Sequence, residues 1–167
     1  MKNSKTLFLA QAALIAALYV VLTLLANALG LANYAVQLRF SEALTILPFF
    51  TPAAIPGLFL GCLISNLLTG AILWDVIFGS LATLLGAMGT YLLRRHKWLA
   101  PLPPIAANTL IVPLILYFAY RIPGSIPYFM LTVGIGEILS CGVLGMLLLF
   151  LLQKYKKYIF SATAAKK

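Results

Sequence analysis

The sequence predicts an all-α integral membrane protein, a compact bundle of six transmembrane helices with both termini in the cytoplasm. Of its 167 residues, 63% are apolar and 9% are charged, whereas a soluble domain is about 45–50% apolar and about 25% charged. A disordered chain is excluded, because such chains are polar and highly charged. The uncharged stretches are long: they cover 6–38, 43–74, 76–93 and 98–120, and a single acid interrupts the final stretch, 122–153.

These stretches favour helices over the strands of a membrane barrel. Lipid offers no hydrogen-bonding partners, so only helices and closed barrels can pair every backbone group within it. Barrel strands alternate polar and apolar residues over about ten positions, and the apolar runs here are solid. A helix needs about 20 residues to cross the hydrocarbon core at 1.5 Å per residue, and several of the runs reach that length.

The first and fourth helices have clear ends. The first is predicted at 6–29, where Gly30 ends it before a loop at 31–38. The fourth is predicted at 74–93, because an acidic residue is favourable in the first turn of a helix, where Asp75 stands, and basic residues follow at the other end.

The fifth and sixth helices are separated by proline-rich turns. The fifth is predicted at 104–120, after the break PLPP, with Pro113 as a kink because proline lacks the N–H that the helix needs. The sixth is predicted at 128–153, after the turn RIPGSIP.

The segment 39–70 is too long for one span and short for two. As one helix it would measure about 48 Å, against a hydrocarbon core of about 30 Å. We predict a second helix at 39–50, a tight turn, and a third helix at 53–68. Such short helices are tolerated where protein or a cavity surrounds them. A five-span alternative, with these two as one re-entrant piece, stays open. The interrupting residues are Pro48, Pro52, Pro56 and Gly57.

The basic residues set the orientation. With six spans, Arg39 and Arg121 fall on one side and ten cations on the other, which the positive-inside rule assigns to the cytoplasm. With five spans, the lysines of the two termini would lie on opposite sides, so the distribution favours six. It also accounts for the net charge of +9 without a nucleic-acid partner. The ten cations are Lys2, Lys5, Arg94, Arg95, Lys97, Lys154, Lys156, Lys157, Lys166 and Lys167.

The three acidic residues predict the functional site, at or within the outer half of this bundle. A carboxylate at membrane depth costs several kcal/mol unless it is paired, protonated or hydrated. Glu137 is the sharpest candidate, about 15 Å below the outer end of the sixth helix, and a structural pair with Arg39 or Arg121 is the alternative. Glu42 can contact a ligand or pair with Arg39, three residues earlier. Asp75 can contact a ligand or cap its helix.

Two uncharged residues complete the candidate site. Asn66 lies near the end of the third helix, where it can bind a ligand, cap the helix or bridge helices. Trp74 lies beside Asp75, where it can stack on a ligand, although an aromatic belt at the membrane interface explains such residues too.

The first helix carries a possible contact surface for another helix. Ala12, Ala13, Ala16 and Ala17 form two overlapping A-x-x-x-A pairs, and small residues at this spacing let a second helix approach closely. Packing inside this chain and packing on a partner are both open from the spacing.

The sequence does not predict an enzyme. No phosphate-binding G-x-x-x-x-G-K-[ST] loop occurs, and no nucleophile is placed with a base and an orienting group. Cys62 and Cys141 lie in apolar runs, where they are expected to be buried thiols rather than a disulfide or a metal site. We expect no metal and no cofactor.

Four segments carry a resemblance to a known family. They are RFSEALTILPFFTPAAIPGLFLGCLISNLL (39–68), DVIFGSLATLLGA (75–87), KWLAPLPPIAAN (97–108) and IGEILSCGVLG (135–145). The sequence resembles the QueT family, the queuosine-precursor substrate-binding (S) components of energy-coupling factor transporters, which are ABC-type importers of the bacterial cell membrane. The resemblance covers nearly the whole chain.

This resemblance implies a division of labour. The S component binds a 7-deazaguanine precursor of queuosine near the outer face and carries it inward. The alanines of its first helix face a transmembrane coupling (T) subunit, and two cytoplasmic ATPases drive the cycle, which fits the missing nucleotide loop. The resemblance implies no partner besides the T subunit, the two ATPases, the ligand and the bilayer, and in particular no nucleic acid.

The chemistry of such a ligand fits the candidate residues. One carboxylate can accept both donors of a guanine-like edge, and Glu137 or Glu42 is expected there, with Asp75 near the pocket mouth. A second carboxylate can pair an aminomethyl cation. Asn66 can donate to the base oxygen, Trp74 can stack on the ring, and Arg39 belongs to the outward-facing polar set. A self-sufficient secondary transporter and a membrane scaffold are the alternative functions.

Overall fold

The computed structural model describes residues 2–31 and 38–159, and within them every regular element is a helix. The predicted all-α class is confirmed. The α-helices are α1 (Lys2–Ala28), α2 (Ala54–Leu68), α3 (Leu73–Leu92), α4 (Leu102–Leu114), α5 (Ile126–Glu137) and α6 (Gly145–Ile159). Residues 32–37 of the predicted loop, and the terminal Lys166 and Lys167, lie outside the described residues.

Three irregular helical segments join or precede these helices. A 3-10 helix occupies Phe40–Phe49. A π-helical turn, Ile115–Ala119, extends α4, and a second one, Ile138–Leu144, joins α5 to α6. The predicted sixth helix, 128–153, therefore lies within one longer helical run whose middle is π-helical.

Four segments of the described chain are long and apolar enough to cross a membrane. They are Ser4–Ala28, Leu73–Leu92, Lys97–Ala119 and Ile126–Tyr155. The other two apolar helices, Phe40–Phe49 and Ala54–Leu68, are shorter. They form a hairpin (residues 40–68) whose turn lies at Thr51 and Pro52.

The predicted second helix, 39–50, is a 3-10 helix rather than an α-helix. Pro48 lies inside it, where proline removes one backbone donor and clashes with the carbonyl four residues back. The Thr45 hydroxyl donates to the Glu42 carbonyl at 2.6 Å, which occupies a further helical acceptor. A 3-10 helix rises about 2.0 Å per residue, so its ten residues extend further than the same residues would as an α-helix.

The hairpin packs against α1 through two glycines of α2. A Cβ atom on Gly57 would lie 2.7 Å from the carbonyl oxygen of Ala12, and one on Gly61 would lie 3.0 Å from that of Ala16. Ala12 and Ala16 are buried at this contact. The close approach of α1 and α2 therefore depends on small residues on both helices.

The tip of the hairpin lies at the end of the bundle where α1 begins. Thr51 donates a hydrogen bond to Gln11 at 3.1 Å. Ile46 packs with Ala100, from the α3–α4 connection, and with Leu149 of α6. The hairpin thus starts and finishes at the opposite end, and α1 begins at the end where α6 finishes.

Candidate functional site

A polar cavity of about 330 Å³ opens at the end of the bundle away from the hairpin tip. Its size falls within the range of about 300–1,000 Å³ that is usual for small-molecule sites. The walls come from α1, from the residue preceding the 3-10 helix, from the α2–α3 connection and from the end of α4. Its polar lining residues are Thr23, Asn27, Arg39, Asn66, Thr69, Asp75 and Tyr120.

Asp75 holds its carboxylate in this cavity from the first turn of α3. One carboxylate oxygen accepts a hydrogen bond from the Tyr120 hydroxyl at 3.0 Å, and that hydroxyl in turn accepts from the Ile72 N–H at 3.3 Å. Burial raises the pKa of the Tyr120 hydroxyl, and the negative charge of Asp75 raises it further. The hydroxyl therefore stays protonated and serves as a donor to Asp75. Capping is not the role of Asp75, since the N-cap residue is Ile72.

Asn66 lies against Asp75 because α3 has a glycine one turn further on. A Cβ atom on Gly79 would lie 2.9 Å from a carboxylate oxygen of Asp75 and 3.3 Å from the side-chain nitrogen of Asn66. That nitrogen donates to the Asp75 carbonyl at 3.4 Å and contacts the Cys62 sulfur at 3.7 Å. The cavity thus places a carboxylate and an amide side by side.

Arg39 contributes positive charge to the same cavity. Its backbone N–H donates to the Ser140 hydroxyl at 3.2 Å, which ties the start of the 3-10 helix to the π-helical turn after α5. Burial opposes the charge on the guanidinium, and the carboxylates of Asp75 and Glu42 favour it. The charge of Glu42 therefore acts on Arg39, as predicted, but Glu42 shares this arginine with other acids.

A second polar group, the inner cluster, lies deeper in the bundle and consists of Tyr19, Glu42, Asn108, Glu137 and Cys141. Glu42 is 1% exposed. One of its oxygens accepts from the Tyr19 hydroxyl and the other accepts from the Asn108 amide at 3.4 Å. Side chains of α1 and α4 therefore meet the 3-10 helix at one carboxylate.

Glu137 faces the same cluster from the end of α5 and is 7% exposed. It accepts from the Cys141 thiol at 3.2 Å. Ligand atoms of Glu42, Glu137 and Cys141 all lie within 4.8 Å of one another, so among the described residues this is the group spaced to hold a cation. Two carboxylates this close and out of water raise the cost of each other's charge, which favours a proton or a cationic ligand between them.

Polar contacts connect the cavity to the inner cluster. Asn66 in the cavity contacts Cys62, Cys62 and Tyr19 belong to one buried cluster, and the Tyr19 hydroxyl donates to Glu42. On another side, the Thr23 hydroxyl donates to Ser41, next to Glu42, at 2.8 Å. The two groups of acids therefore belong to one polar region.

The structure separates the predicted site residues into three places. Arg39, Asn66 and Asp75 line the cavity, and Glu42 and Glu137 belong to the inner cluster. Trp74 is 58% exposed on the outside of α3, where its ring stacks on Phe78 at 5.8 Å. It lines a separate apolar groove with residues of α4 and of the π-helical turn. The structure thus does not bring Trp74 together with the other five.

Besides Cys141 and three polar lining residues of the cavity, three further residues of the polar region were not among the predicted site residues. They are Tyr19, Asn108 and Tyr120. Tyr19 and Asn108 could have been predicted from the sequence, because each is a polar side chain inside an apolar run and needs a hydrogen-bonding partner in lipid. Tyr120 offers no such signal, since its sequence position at the end of a helix does not reveal the hydrogen bond to Asp75.

The alanines of α1 point in two directions. Ala12 and Ala16 are buried against α2, so the alternative of packing inside the chain describes this pair. Ala13 and Ala17 are exposed. One of the two A-x-x-x-A pairs is therefore available on the outer surface.

Together these features define a class: a multi-pass membrane protein of helices that encloses a polar cavity at one end. Residues 9–154 match the family model described as QueT transporter. The chain belongs to this family, which confirms the resemblance. Over 99 residues it is 39% identical to a protein of Lactococcus lactis subsp. cremoris (strain MG1363) named Queuosine precursor transporter QueT. That match covers 58% of this chain and 57% of the relative's length. No solved structure matches the chain.

Proposed function

We propose that the chain captures a queuosine precursor, a 7-deazaguanine base, at the outer face of the bacterial cell membrane and delivers it inward. In this proposal it is the S component of an energy-coupling factor importer, docked to a T subunit and two cytoplasmic ATPases. Membership of the QueT transporter family and the name of the Lactococcus lactis relative support the substrate class. The charge asymmetry supports the orientation, because cytoplasmic loops carry the excess of basic residues.

The observation that carries the proposal is the pairing of Asp75 with Asn66 in the cavity, backed by the inner cluster. A guanine-like edge presents two neighbouring donors, which one carboxylate can accept as charge-assisted hydrogen bonds, and a neighbouring carbonyl oxygen, to which an amide can donate. Asp75 and Asn66 supply this set at adjacent positions. We therefore assign the base edge to Asp75 and Asn66.

The excess of negative charge favours a cationic form of the substrate. The polar region holds three acids, Glu42, Asp75 and Glu137, and one arginine, Arg39. The two glutamates repel each other when both are negatively charged. An aminomethyl group on the base would bring a positive charge between them and offset this repulsion. The inner cluster is accordingly assigned to the aminomethyl group.

Binding to the purified chain tests the proposal. Protein in detergent or nanodiscs would be titrated calorimetrically with an aminomethyl deazaguanine, a cyano deazaguanine, guanine and an unrelated vitamin. We expect binding of the deazaguanines, tightest for the aminomethyl form, and none of the vitamin. Absence of binding by every deazaguanine, with the protein folded, would refute the substrate.

Transport assays separate the S-component role from secondary transport. Vesicles that contain only this chain should take up no labelled base, whether or not an ion gradient is imposed. Vesicles that also contain a T subunit and the two ATPases should take it up when supplied with ATP. Gradient-driven uptake by the chain alone would instead support the secondary transporter, and failure to bind any small molecule would support the scaffold.

A further inference from the structure

The end of the bundle opposite the cavity carries a cluster of cations held on aromatic rings. The ammonium group of Lys97 lies 5.5 Å from the ring centre of Trp98 and 5.4 Å from that of Phe150. The two rings pack edge to face at 5.6 Å. Cations and aromatic faces attract each other at such distances, so the position of Lys97 is fixed by residues of two separate elements.

Two more cations lie close to Lys97 or Phe150 along the chain, and each lies over a ring of its own helix or its end. Arg94 lies 4.0 Å over the ring of Tyr91, near the end of α3. Lys154 is one helical turn beyond Phe150 in α6, and residues four apart share a helix face. Arg94 and Lys154 are both exposed. We call Arg94, Lys97, Trp98, Phe150 and Lys154 the basic aromatic cluster.

The chain offers this cluster no acidic partner. Its three acids are Glu42, Asp75 and Glu137, and all of them belong to the cavity or the inner cluster. Attraction between exposed charges fades over about 8–10 Å in physiological salt. The counter-ions of the basic aromatic cluster must therefore come from outside the chain.

The surroundings of the cluster are those of a membrane interface. Trp98 is 67% exposed, and Leu92, Leu99 and Leu102 are exposed beside it in sequence. Tryptophan rings and snorkelling lysines with apolar neighbours are typical of the boundary between headgroups and acyl chains. An anion that fits here carries its charge next to an apolar chain.

We propose that the basic aromatic cluster binds the headgroup of an anionic phospholipid. Arg94, Lys97 and Lys154 contact the phosphate region, and the acyl chains lie along Trp98 and Leu99. A free phosphate ion would satisfy the cations but leave the apolar side chains uncovered. The site is independent of the proposed transport function, because none of its residues contributes to the cavity or the inner cluster.

The two tryptophans of the chain provide the test and its internal control. Trp74 and Trp98 are its only tryptophans, and they lie toward opposite ends of the bundle. The variant Trp74→Phe leaves Trp98 as the sole reporter, and Trp98→Phe leaves Trp74. Each would be placed in nanodiscs of mixed phosphatidylglycerol and phosphatidylcholine, with bromine on the upper acyl chain of one lipid or the other, and its fluorescence quenching measured.

We expect brominated phosphatidylglycerol to quench Trp98 more than brominated phosphatidylcholine at equal mole fraction. The expected enrichment is about fivefold, the ratio that one well-placed basic residue provides near a membrane surface. Trp74 should be quenched equally by both lipids. In the Trp74→Phe background, Lys97→Gln or Arg94→Gln should remove most of the preference, whereas Lys5→Gln, an equal loss of charge on α1 outside the cluster, should preserve it.

Three outcomes would overturn the proposal. One is equal quenching of Trp98 by the two lipids. Another is an equal effect of Lys5→Gln and Lys97→Gln, which would indicate attraction to the whole basic end rather than a site. The third is loss of the preference on adding millimolar inorganic phosphate at constant ionic strength, which would indicate a site for a free anion. Circular dichroism of each variant establishes that it is folded, so a lost preference reports on the lipid.

Discussion

At the scale of single residues, the decisive feature is the direction in which neighbouring side chains point. Trp74 and Asp75 are adjacent in α3, yet Trp74 faces outward on Phe78 and Asp75 faces the cavity and Tyr120. Successive residues of an α-helix point about 100° apart, so adjacency in sequence does not place both in one site. The polar partner that Asp75 uses comes from the end of α4 instead.

Replacing Asp75 with asparagine should weaken ligand binding without unfolding the protein. The variant loses the charge that strengthens the hydrogen bonds to the base edge. Because hydrogen bonds to charged groups contribute about 1.5–3 kcal/mol, the dissociation constant measured by calorimetry should rise by about 10- to 100-fold. Tyr120→Phe is the matched control, since it removes the donor to Asp75 and leaves the carboxylate in place. Equal affinity of Asp75→Asn and the unchanged protein would contradict the assignment.

Replacing Glu137 with glutamine should change which ligand is preferred. The inner cluster loses one negative charge, and the cation on an aminomethyl deazaguanine loses a partner, while a cyano deazaguanine loses none. The affinity for the aminomethyl form should fall by about tenfold or more, as for loss of a charged hydrogen bond, and the affinity for the cyano form should change less. A parallel loss for both ligands would place Glu137 at the base edge or in a purely structural role.

At the scale of elements, the hairpin is the part of the fold that positions the polar region. Its 3-10 helix brings Glu42 to Tyr19 and Asn108, and α2 brings Asn66 to Asp75. Prolines explain why the sequence predicts a break at 51–52. The Glu42 carbonyl within the 3-10 helix also accepts from the Thr45 hydroxyl and contacts the Cys141 thiol. The thiol belongs to a distant segment, so the sequence of the hairpin does not reveal it.

The contact between α1 and α2 should tolerate no added carbon atom at Gly57. In Gly57→Ala the new Cβ would lie 2.7 Å from the Ala12 carbonyl oxygen, and overpacking of this kind costs about 1–3 kcal/mol. We expect a clearly lower thermal unfolding temperature in detergent. Gly134→Ala is the matched control, because its nearest neighbour, Thr109, would be 3.4 Å away. If both variants unfolded at the same temperature, α1 and α2 would not be in the close contact described.

At the scale of the whole molecule, the charges are divided between two ends. The cavity and the inner cluster hold all three acids, and the opposite end holds the α3–α4 connection with Arg94, Arg95 and Lys97. The surface between the ends is largely apolar, as lipid requires. The exposed Ala13 and Ala17 of α1 form a strip of small residues on this surface, and we propose that the T subunit packs there.

Ala13 and Ala17 should be needed for assembly and not for ligand binding. Leucine at either position adds bulk to the exposed face of α1, so it should lower co-purification with a T subunit while the affinity for the ligand is kept. Ala12→Leu is the contrasting variant: Ala12 is buried where α1 packs on α2, so the added bulk should lower the unfolding temperature. Normal assembly of Ala13→Leu and Ala17→Leu would contradict the proposed docking face.

The sequence by itself determined the class of protein, the helical content and the candidate acids. Apolar runs, prolines and charges act locally or through the solvent, so they can be interpreted one segment at a time. Even the rarity of acids was informative, because Glu42, Asp75 and Glu137 all proved to be buried in the polar region.

Only the tertiary structure decided which of these residues meet. It joined Asp75 to Asn66 and Tyr120, joined Glu42 to Tyr19 and Asn108, left Trp74 outside, and split the alanines of α1 into a buried pair and an exposed pair. Each of these outcomes depends on the rotation of one helix against another. That rotation is set by close packing between helices, at positions such as Gly57 against Ala12 and Gly79 against Asn66.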